Sequence, residues 1–298
     1  MKIKNIATAL LLAAALQSCV VEVPKREYSN NREQRYFIPL PPPAPESVVF
    51  AGEEVLIDKE DRVERLDREL LSFTYSQAST VTALKRAGKI FPQIEPILKQ
   101  YGIPDDLKYL AVIESTLSIG ARSYAGATGL WQFMPATARE FGLVVNDYID
   151  ERYNLERETV AACKYLKKAY KRFGDWMTVA ASYNAGMKGI NDKLDRQLVE
   201  NGMDLWLVEE TSRYMFRLLA AKMLFDDPAQ FGYKLGSRDV YHYKEPRERI
   251  TVSHTIRNLA TFAKEHNCSY GAFRRANLWI RTDALINPTG KSYTITIP

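Results

Sequence analysis

Hydrophobic residues recur at intervals of three and four positions through most of the chain, which is the spacing that places them on one face of an α-helix. The spacing is first seen in Val63, Leu66, Leu70 and Phe73. From about residue 91 to residue 225 it continues almost unbroken, interrupted by Gly, Pro and Asn and without the alternation typical of strands. The sequence therefore predicts a protein that is mainly α-helical.

The last part of the chain has a different pattern. Residues 249–252 and 292–297 alternate polar and apolar side chains, as half-buried strands do. Between them, residues 259–265 and 271–276 have helical spacing. This order predicts a small C-terminal α+β unit with the arrangement βααβ.

The first residues have the features of an export signal. Lys2 and Lys4 precede an apolar run over residues 6–16, which is too short to span a bilayer as a helix. The run is followed by Gln17-Ser18-Cys19, which resembles the lipobox of bacterial lipoproteins. This resemblance implies that removal of signal residues 1–18 leaves Cys19 as a lipidated N-terminus that anchors the protein to a membrane. The alternative is an ordinary signal peptide with an incidental cysteine.

Residues 19–51 are predicted to be a Pro-rich linker. The stretch Pro39-Leu40-Pro41-Pro42-Pro43-Ala44-Pro45 favours extended polyproline geometry, so it is either a stalk or a passive disordered spacer. Beyond the linker we expect an N-terminal helical segment at residues 52–90, a helical domain at 91–235 and the βααβ unit at 236–298.

The charge, cysteine and histidine content of the chain argues against nucleic-acid binding and against a metal site. The net charge of +5 comes from 41 basic and 36 acidic residues that are spread along the chain, without the dense basic block of a nucleic-acid binder. Solubility explains this charge, with a mild preference for anionic polymers as the alternative. Cys163 and Cys268 are expected to be unpaired thiols, and the three histidines lie far from both. The sequence predicts no metal site and no cofactor.

A candidate catalytic acid lies near the end of a predicted helix over residues 104–115. Leu107, Leu110 and Ala111 form one face of this helix, and the spacing places Glu114 on the same face. A carboxyl group in apolar surroundings has a raised pKa and can donate a proton near neutral pH. A surface or salt-bridged position for Glu114 is the alternative.

A glycine-containing loop precedes a helix that Pro135 is expected to begin. In it, Trp131, Phe133 and Met134 offer apolar faces on which a sugar ring can lie, and Gln132 offers both a donor and an acceptor. The alternative is a packed junction in which all three apolar side chains belong to the core.

Two later positions complete the candidate site. Tyr183 and Asn184 lie at the predicted end of an apolar helix, where an asparagine is either a helix cap or a ligand-binding amide. Tyr214 lies in a later apolar helix and is expected to face the same cleft.

Together these motifs resemble the soluble-lytic-transglycosylase-like family, glycoside hydrolase family 23, which shares its fold with goose-type lysozyme. The resemblance covers roughly residues 91–225, and Trp131 and Ser182 depart from the commoner Met and Ala of the family. The matching motifs follow in the family's order: Glu114-Ser115, Gly129-Leu130-Trp131-Gln132, Tyr183-Asn184-Ala185-Gly186 and Tyr214.

The resemblance implies a lysozyme-like helical catalytic domain that cleaves the β-1,4 bond between N-acetylmuramic acid and N-acetylglucosamine, leaving 1,6-anhydromuramoyl ends. Glu114 is then the catalytic acid and base. Ordinary glycosidases need a second carboxylate, and none recurs in these motifs. The alternatives are a hydrolytic muramidase that uses the same glutamate and a non-catalytic peptidoglycan-binding lipoprotein. The residues expected to bind substrate are Ser115, Gln132, Phe133, Met134, Tyr183, Asn184 and Tyr214.

The tail resembles a divergent LysM module. Residues 250–252, 254–256, 259–260 and 293–298 follow in the expected order, but the usual Gly-Asp before the threonine is missing. The resemblance implies binding to glycans that contain N-acetylglucosamine, and the alternative is a unit that only packs against the catalytic domain. The expected partners are therefore peptidoglycan strands and a membrane, with no nucleic acid. Val20 gives no inner-membrane retention signal, which favours the outer membrane, facing the periplasm.

Overall fold

The computed structural model of the protein describes residues 40–298. The predicted signal peptide at residues 1–18, Cys19 and most of the predicted linker lie outside the described residues. None of the helices within 40–298 has the length and apolar character needed to cross a bilayer.

The described part begins with a β-hairpin that the sequence analysis did not predict. Strands β1 (Ser47–Phe50) and β2 (Glu53–Leu56) pair antiparallel, with Phe50 opposite Glu53. Ala51 and Gly52 make the connection with φ angles of 54° and 83°, which a two-residue hairpin turn requires. The assignment of these residues to the end of the linker and the start of a helical segment is therefore wrong. The hairpin belongs to the fold because Phe50 is fully buried in the core.

Eight α-helices follow and confirm the prediction of a mainly helical protein. Short 3-10 turns at Asp105–Lys108, Glu151–Tyr153, Gly202–Asp204 and Pro228–Phe231 connect some of them. The helices are α1 (Glu60–Tyr75), α2 (Gln77–Gln100), α3 (Tyr109–Ser115), α4 (Pro135–Glu140), α5 (Leu155–Phe173), α6 (Trp176–Ala185), α7 (Met187–Gln197) and α8 (Glu209–Asp226).

Helix α8 lies at the centre of the packing and contacts α1, α3 and α6. Its contact with α1 includes Glu69, which is fully buried and accepts hydrogen bonds from Arg213 Nε at 2.6 Å and Arg217 Nε at 3.0 Å. A buried carboxylate is stable only when it is paired in this way, so Glu69 fixes α8 against α1. The short helix α3 is held on another side of α8.

The C-terminal unit has the predicted βααβ arrangement. Strand β3 (Glu248–Val252) pairs antiparallel with β4 (Tyr293–Ile297), and helices α9 (Leu259–Glu265) and α10 (Tyr270–Ala276) lie between them in sequence. These four elements surround a second hydrophobic core. The α+β character of the tail is therefore confirmed.

The helical domain contributes a buried side chain to this second core. Ile149, from the segment before α5, is buried among the apolar side chains of the C-terminal unit and forms an antiparallel bridge with Ile280. Cys268 packs beside this core, whereas Cys163 is buried in the main one. Neither of these cysteines is in a disulfide, as the sequence analysis expected.

Candidate active site

Glu114 lies in the last turn of α3, where the helix ends abruptly. The two residues after Ser115 have left-handed backbones, with φ angles of 54° at Thr116 and 56° at Leu117. Leu110 and Ala111, which share the face of Glu114, are fully buried, as the helical spacing predicted. Glu114 itself is half-buried, so its carboxyl group lies at the edge of the core and still meets the surface.

Burial raises the pKa of Glu114 from 4.5 to about 7. The negative charge of Glu210 contributes to this rise in the pKa, whereas two groups on α8 oppose it. Tyr214 donates a hydrogen bond from its hydroxyl to Glu114 Oε1 at 2.7 Å, and the positive charge of Arg217 favours the carboxylate. Because burial has the largest effect, the protonated form of Glu114 is accessible near neutral pH. Such a group can both donate and accept a proton.

The loop before α4 is closed by a pair of backbone hydrogen bonds, from Thr128 N to Phe133 O and from Phe133 N to Thr128 O, both 3.1 Å. Gly129 has a φ of 91°, and a β-carbon there would lie only 1.9 Å from the carbonyl oxygen of Arg152. Glycine is therefore required at this position. Gln132 also has a left-handed backbone, with φ 51°, and donates from Nε2 to Gly129 O at 2.8 Å.

Glu158 on α5 binds the backbone of this loop. It was not predicted as a site residue from the sequence. Its fully buried carboxylate accepts hydrogen bonds from Leu130 N at 3.0 Å and Trp131 N at 3.2 Å. Burial raises the pKa of Glu158 well above its usual value. One sequence signal could have found it: Glu158 lies three residues after Leu155 and four before Ala162, on the apolar face of α5.

Arg152 fixes the two ends of the loop. Its Nη1 donates to Gly126 O at 2.9 Å and to Phe133 O at 3.0 Å. The same guanidinium is paired with Asp150 through Nε at 2.9 Å and Nη2 at 2.7 Å. Arg152 was not predicted as a site residue either, because a short 3-10 turn has no periodicity that distinguishes a buried arginine.

The apolar residues of the loop divide between core and surface. Trp131 is fully buried, and its indole donates to Thr159 Oγ1 at 3.0 Å. Phe133 is only 3% exposed and packs edge-on against the ring of Tyr183. These two side chains are therefore part of the core, and the expectation that Phe133 offers a face to substrate is not supported by its burial. Met134 is 43% exposed and is accessible to a ligand.

Tyr183 and Asn184 occupy the last turn of α6, which ends before Gly186 as predicted. The Tyr183 hydroxyl donates to the carbonyl oxygen of Trp131 at 2.9 Å, which joins α6 to the glycine loop. Burial raises the pKa of Tyr183, and the negative charge of Glu114 also raises it. Asn184, the next residue of the helix, is half-buried.

Ser115 has a local role in the backbone. Its hydroxyl donates to Ala111 O at 3.0 Å and accepts from Ser118 N at 3.2 Å. These bonds stabilise the turn that follows Glu114. The structure connects the four motifs: Glu114 accepts a hydrogen bond from Tyr214, its charge acts on Tyr183, and Tyr183 donates a hydrogen bond to the glycine loop. Within residues 40–298, no three His, Cys, Asp or Glu side chains are grouped as metal ligands would be.

Two sequence families match this chain. Residues 93–201 match the transglycosylase SLT domain, and residues 248–298 match the soluble lytic transglycosylase C-terminal LysM-like domain. The membrane-bound lytic murein transglycosylase D of Escherichia coli strain K12 is 30% identical over 231 residues, which are 72% of this chain and 50% of that protein. The chain spans about half the length of the curated relatives it matches.

Two solved structures show weaker similarity. The lytic transglycosylase Slt from Pseudomonas aeruginosa, in an inactive mutant form, has a TM-score of 0.38 and 19% identity, covering 51% of this chain and 26% of that one. The 70 kDa soluble lytic transglycosylase of Escherichia coli has a TM-score of 0.38 and 20% identity, covering 61% of this chain and 33% of that one.

Substitution of Gly129 by alanine is expected to destabilise the protein strongly, by more than about 3 kcal/mol, because the new methyl group collides with the Arg152 backbone. Gly126 is a matched control, since it has a similar φ of 89° and no atom near the position of a β-carbon. The Gly126→Ala variant should lose only about 1 kcal/mol from backbone strain. Urea unfolding followed by circular dichroism measures both values. Equal losses would contradict the proposed close contact at Gly129.

Proposed function

This chain belongs to the family of proteins that contain a transglycosylase SLT domain, and we propose that it is a lytic transglycosylase of peptidoglycan. The reaction is cleavage of the β-1,4 bond between N-acetylmuramic acid and N-acetylglucosamine, with formation of a 1,6-anhydromuramoyl end. One observation carries the proposal: the Glu114 carboxyl group accepts a hydrogen bond from Tyr214 at the edge of the core, where burial raises its pKa to about 7. This is the group that protonates a departing sugar oxygen.

In the first step, Glu114 donates its proton to the glycosidic oxygen while the bond from that oxygen to muramoyl C1 breaks. Tyr214 donates to Oε1, so the proton to be transferred is carried by Oε2. The hydrogen bond from Tyr214 also stabilises the carboxylate that remains, because an ionised acceptor forms the stronger bond. The step therefore leaves a glutamate that is ready to accept a proton.

In the second step, the Glu114 carboxylate removes the proton from the muramoyl C6 hydroxyl as that oxygen bonds to C1. The proton count balances, since Glu114 ends the cycle protonated and no water is consumed. The attacking hydroxyl belongs to the substrate, so the reaction gains from proximity. We assign Gln132, Met134, Tyr183 and Asn184 to the walls of the cleft that holds the sugar.

Hydrolysis by a muramidase is the second candidate, and one observation gives it weight. Glu210 is an exposed carboxylate on α8 whose charge acts on Glu114. An inverting glycosidase uses such a second carboxylate to activate water. The two reactions differ in their products, because the anhydro end is lighter than the hydrolytic end by one water.

The Glu114→Gln variant is expected to lose at least about 100-fold in activity, because glutamine keeps the shape and the Tyr214 hydrogen bond but has no proton to give. Mass spectrometry of digested sacculi should find 1,6-anhydro ends with the wild type and almost none with the variant. Co-sedimentation of the variant with sacculi should stay unchanged. Fully hydrated ends would favour the muramidase, and a wild type that binds but releases nothing would favour a non-catalytic binding protein.

The Glu210→Gln variant tests whether Glu210 acts only through its charge on Glu114 or is itself a catalytic base. Glu114 must begin the cycle protonated, so activity falls as pH rises through its pKa of about 7. Because the charge of Glu210 raises that pKa, its removal should shift the alkaline limb of the pH–rate profile to lower pH and leave the anhydro product unchanged. The matched control is Glu209→Gln at the neighbouring exposed residue. Loss of all activity in Glu210→Gln would indicate instead that Glu210 is a catalytic base.

The N-terminal region and the tail extend the proposal. We propose that residues 1–18 are a signal peptide, that Cys19 is lipidated and that the protein lies in the outer membrane, facing the periplasm. The supporting observations are the motif that ends at Cys19 and the likeness to a relative whose name describes it as membrane-bound. The helical domain at residues 91–235 is then tethered to the membrane through Cys19. Glycan binding by the LysM-like unit at residues 236–298 stays a prediction.

Replacement of Cys19 by serine is expected to remove the lipid anchor. The variant should move from the membrane fraction to the soluble fraction of the periplasm, and metabolic labelling with a fatty acid should be lost. The control is Cys268→Ser, which changes a thiol in the C-terminal unit. Membrane association that persists in Cys19→Ser would contradict lipidation at this residue.

A further inference from the structure

Residues 148–152, which we call the bridging segment, join the C-terminal unit to the glycine loop of the active site. One side of the segment contacts the C-terminal unit and the other contacts the loop that contains Gln132. The sequence is compatible with a unit that binds glycan or with one that only packs. The contacts of the bridging segment indicate a third role.

On the side of the C-terminal unit, backbone and side-chain contacts both hold the segment. Asp150 N donates to Trp279 O at 2.8 Å, and Arg281 N donates to Tyr148 O at 2.8 Å. Ile149 is buried in the second core. The segment is therefore attached to the C-terminal unit by backbone hydrogen bonds and by a shared core.

An ion pair strengthens this attachment. Lys291 Nζ lies 3.0 Å from Glu151 Oε1 and 3.2 Å from Oε2. Glu151 is 1% exposed and also accepts from Val144 N at 2.7 Å. Because a buried carboxylate needs a partner, the amino group that neutralises Glu151 comes from the C-terminal unit. Without Lys291 the buried Glu151 carboxylate has no positive partner, and the conformation of the bridging segment becomes less favourable.

On the side of the active site, hydrogen bonds from Arg152 connect the bridging segment to the glycine loop. Its guanidinium is oriented by Asp150, one residue from Ile149 and Glu151, and it donates to Gly126 O and Phe133 O. The carbonyl oxygen of Arg152 also occupies the space beside Gly129. Both ends of the loop that contains Gln132 are therefore fixed by a residue of the bridging segment.

We propose that the C-terminal unit is a positioning element of the active site. Lys291 and the backbone of residues 279–281 hold the bridging segment, and Arg152 holds the loop that contains Gln132. Lys291 acts through Glu151 and Arg152, so it is a positioning residue without contact to substrate. The proposal rests on the proposed function for its effect on rate, but the mechanical coupling can be measured without it.

The test compares Lys291→Met, Lys291→Arg and Lys264→Met in the full chain. Lys264 is an exposed lysine on α9 of the same unit and serves as the control. Kinetics on isolated glycan strands should show a drop of about 10-fold in kcat for Lys291→Met with little change in KM, since a misplaced loop affects orientation more than binding. Lys291→Arg should restore the rate, and Lys264→Met should match the wild type.

Hydrogen exchange gives the second readout. The amides of Thr128 and Phe133 are bonded across the loop, so loosening should raise their exchange about 10-fold in Lys291→Met. The Arg152→Lys variant removes hydrogen bonds between the bridging segment and the glycine loop, so the same two amides should exchange faster. This variant replaces Lys291→Met if Lys291→Met does not fold. Unchanged exchange in these variants, or a rise in KM alone, would overturn the proposal. A wild type without anhydro products would disprove the proposed function, while hydrogen exchange would still decide the coupling.

Discussion

The proposed chemistry of this protein depends on keeping one carboxyl group partly out of water, and helix packing does this. Glu114 is at the end of a short helix that cannot hold its position alone, so its environment comes from α8. The same helix supplies the Tyr214 hydroxyl and the charge of Arg217. Glu69 fixes α8 in turn, because its buried carboxylate is paired with Arg213 and Arg217. The proton affinity of Glu114 is therefore a property of the packed bundle.

The parts of the fold that were predictable depend on local patterns. Periodicity of three and four indicated the helices, and alternation indicated β3 and β4, because each follows from side chains a few positions apart. Glu114 belonged to this class, since Leu110 and Ala111 already defined the apolar face. The ordered motifs then gave the family, which the SLT and LysM-like matches confirm.

The parts that were missed depend on contacts between distant residues. The hairpin at residues 47–56 was missed because its turn places Ala51 at a positive φ, where glycine or asparagine is expected. At the glycine loop, the sequence left open whether Trp131 and Phe133 face a sugar or the core. The answer came from Thr159, Glu158 and Tyr183, which lie more than 20 residues away in the chain. No pattern within the loop contains that information.

The shared core around Ile149 bears on how such proteins can be rearranged. The C-terminal unit is not a module that ends at a single point in the sequence, since its interior includes a side chain from the helical domain and its Lys291 neutralises a carboxylate there. Exchange of tails between relatives near residue 236 would expose Ile149 and leave the buried carboxylate of Glu151 without its partner. A chimaera that keeps both domains intact must therefore carry residues 148–152 together with the tail that they fit.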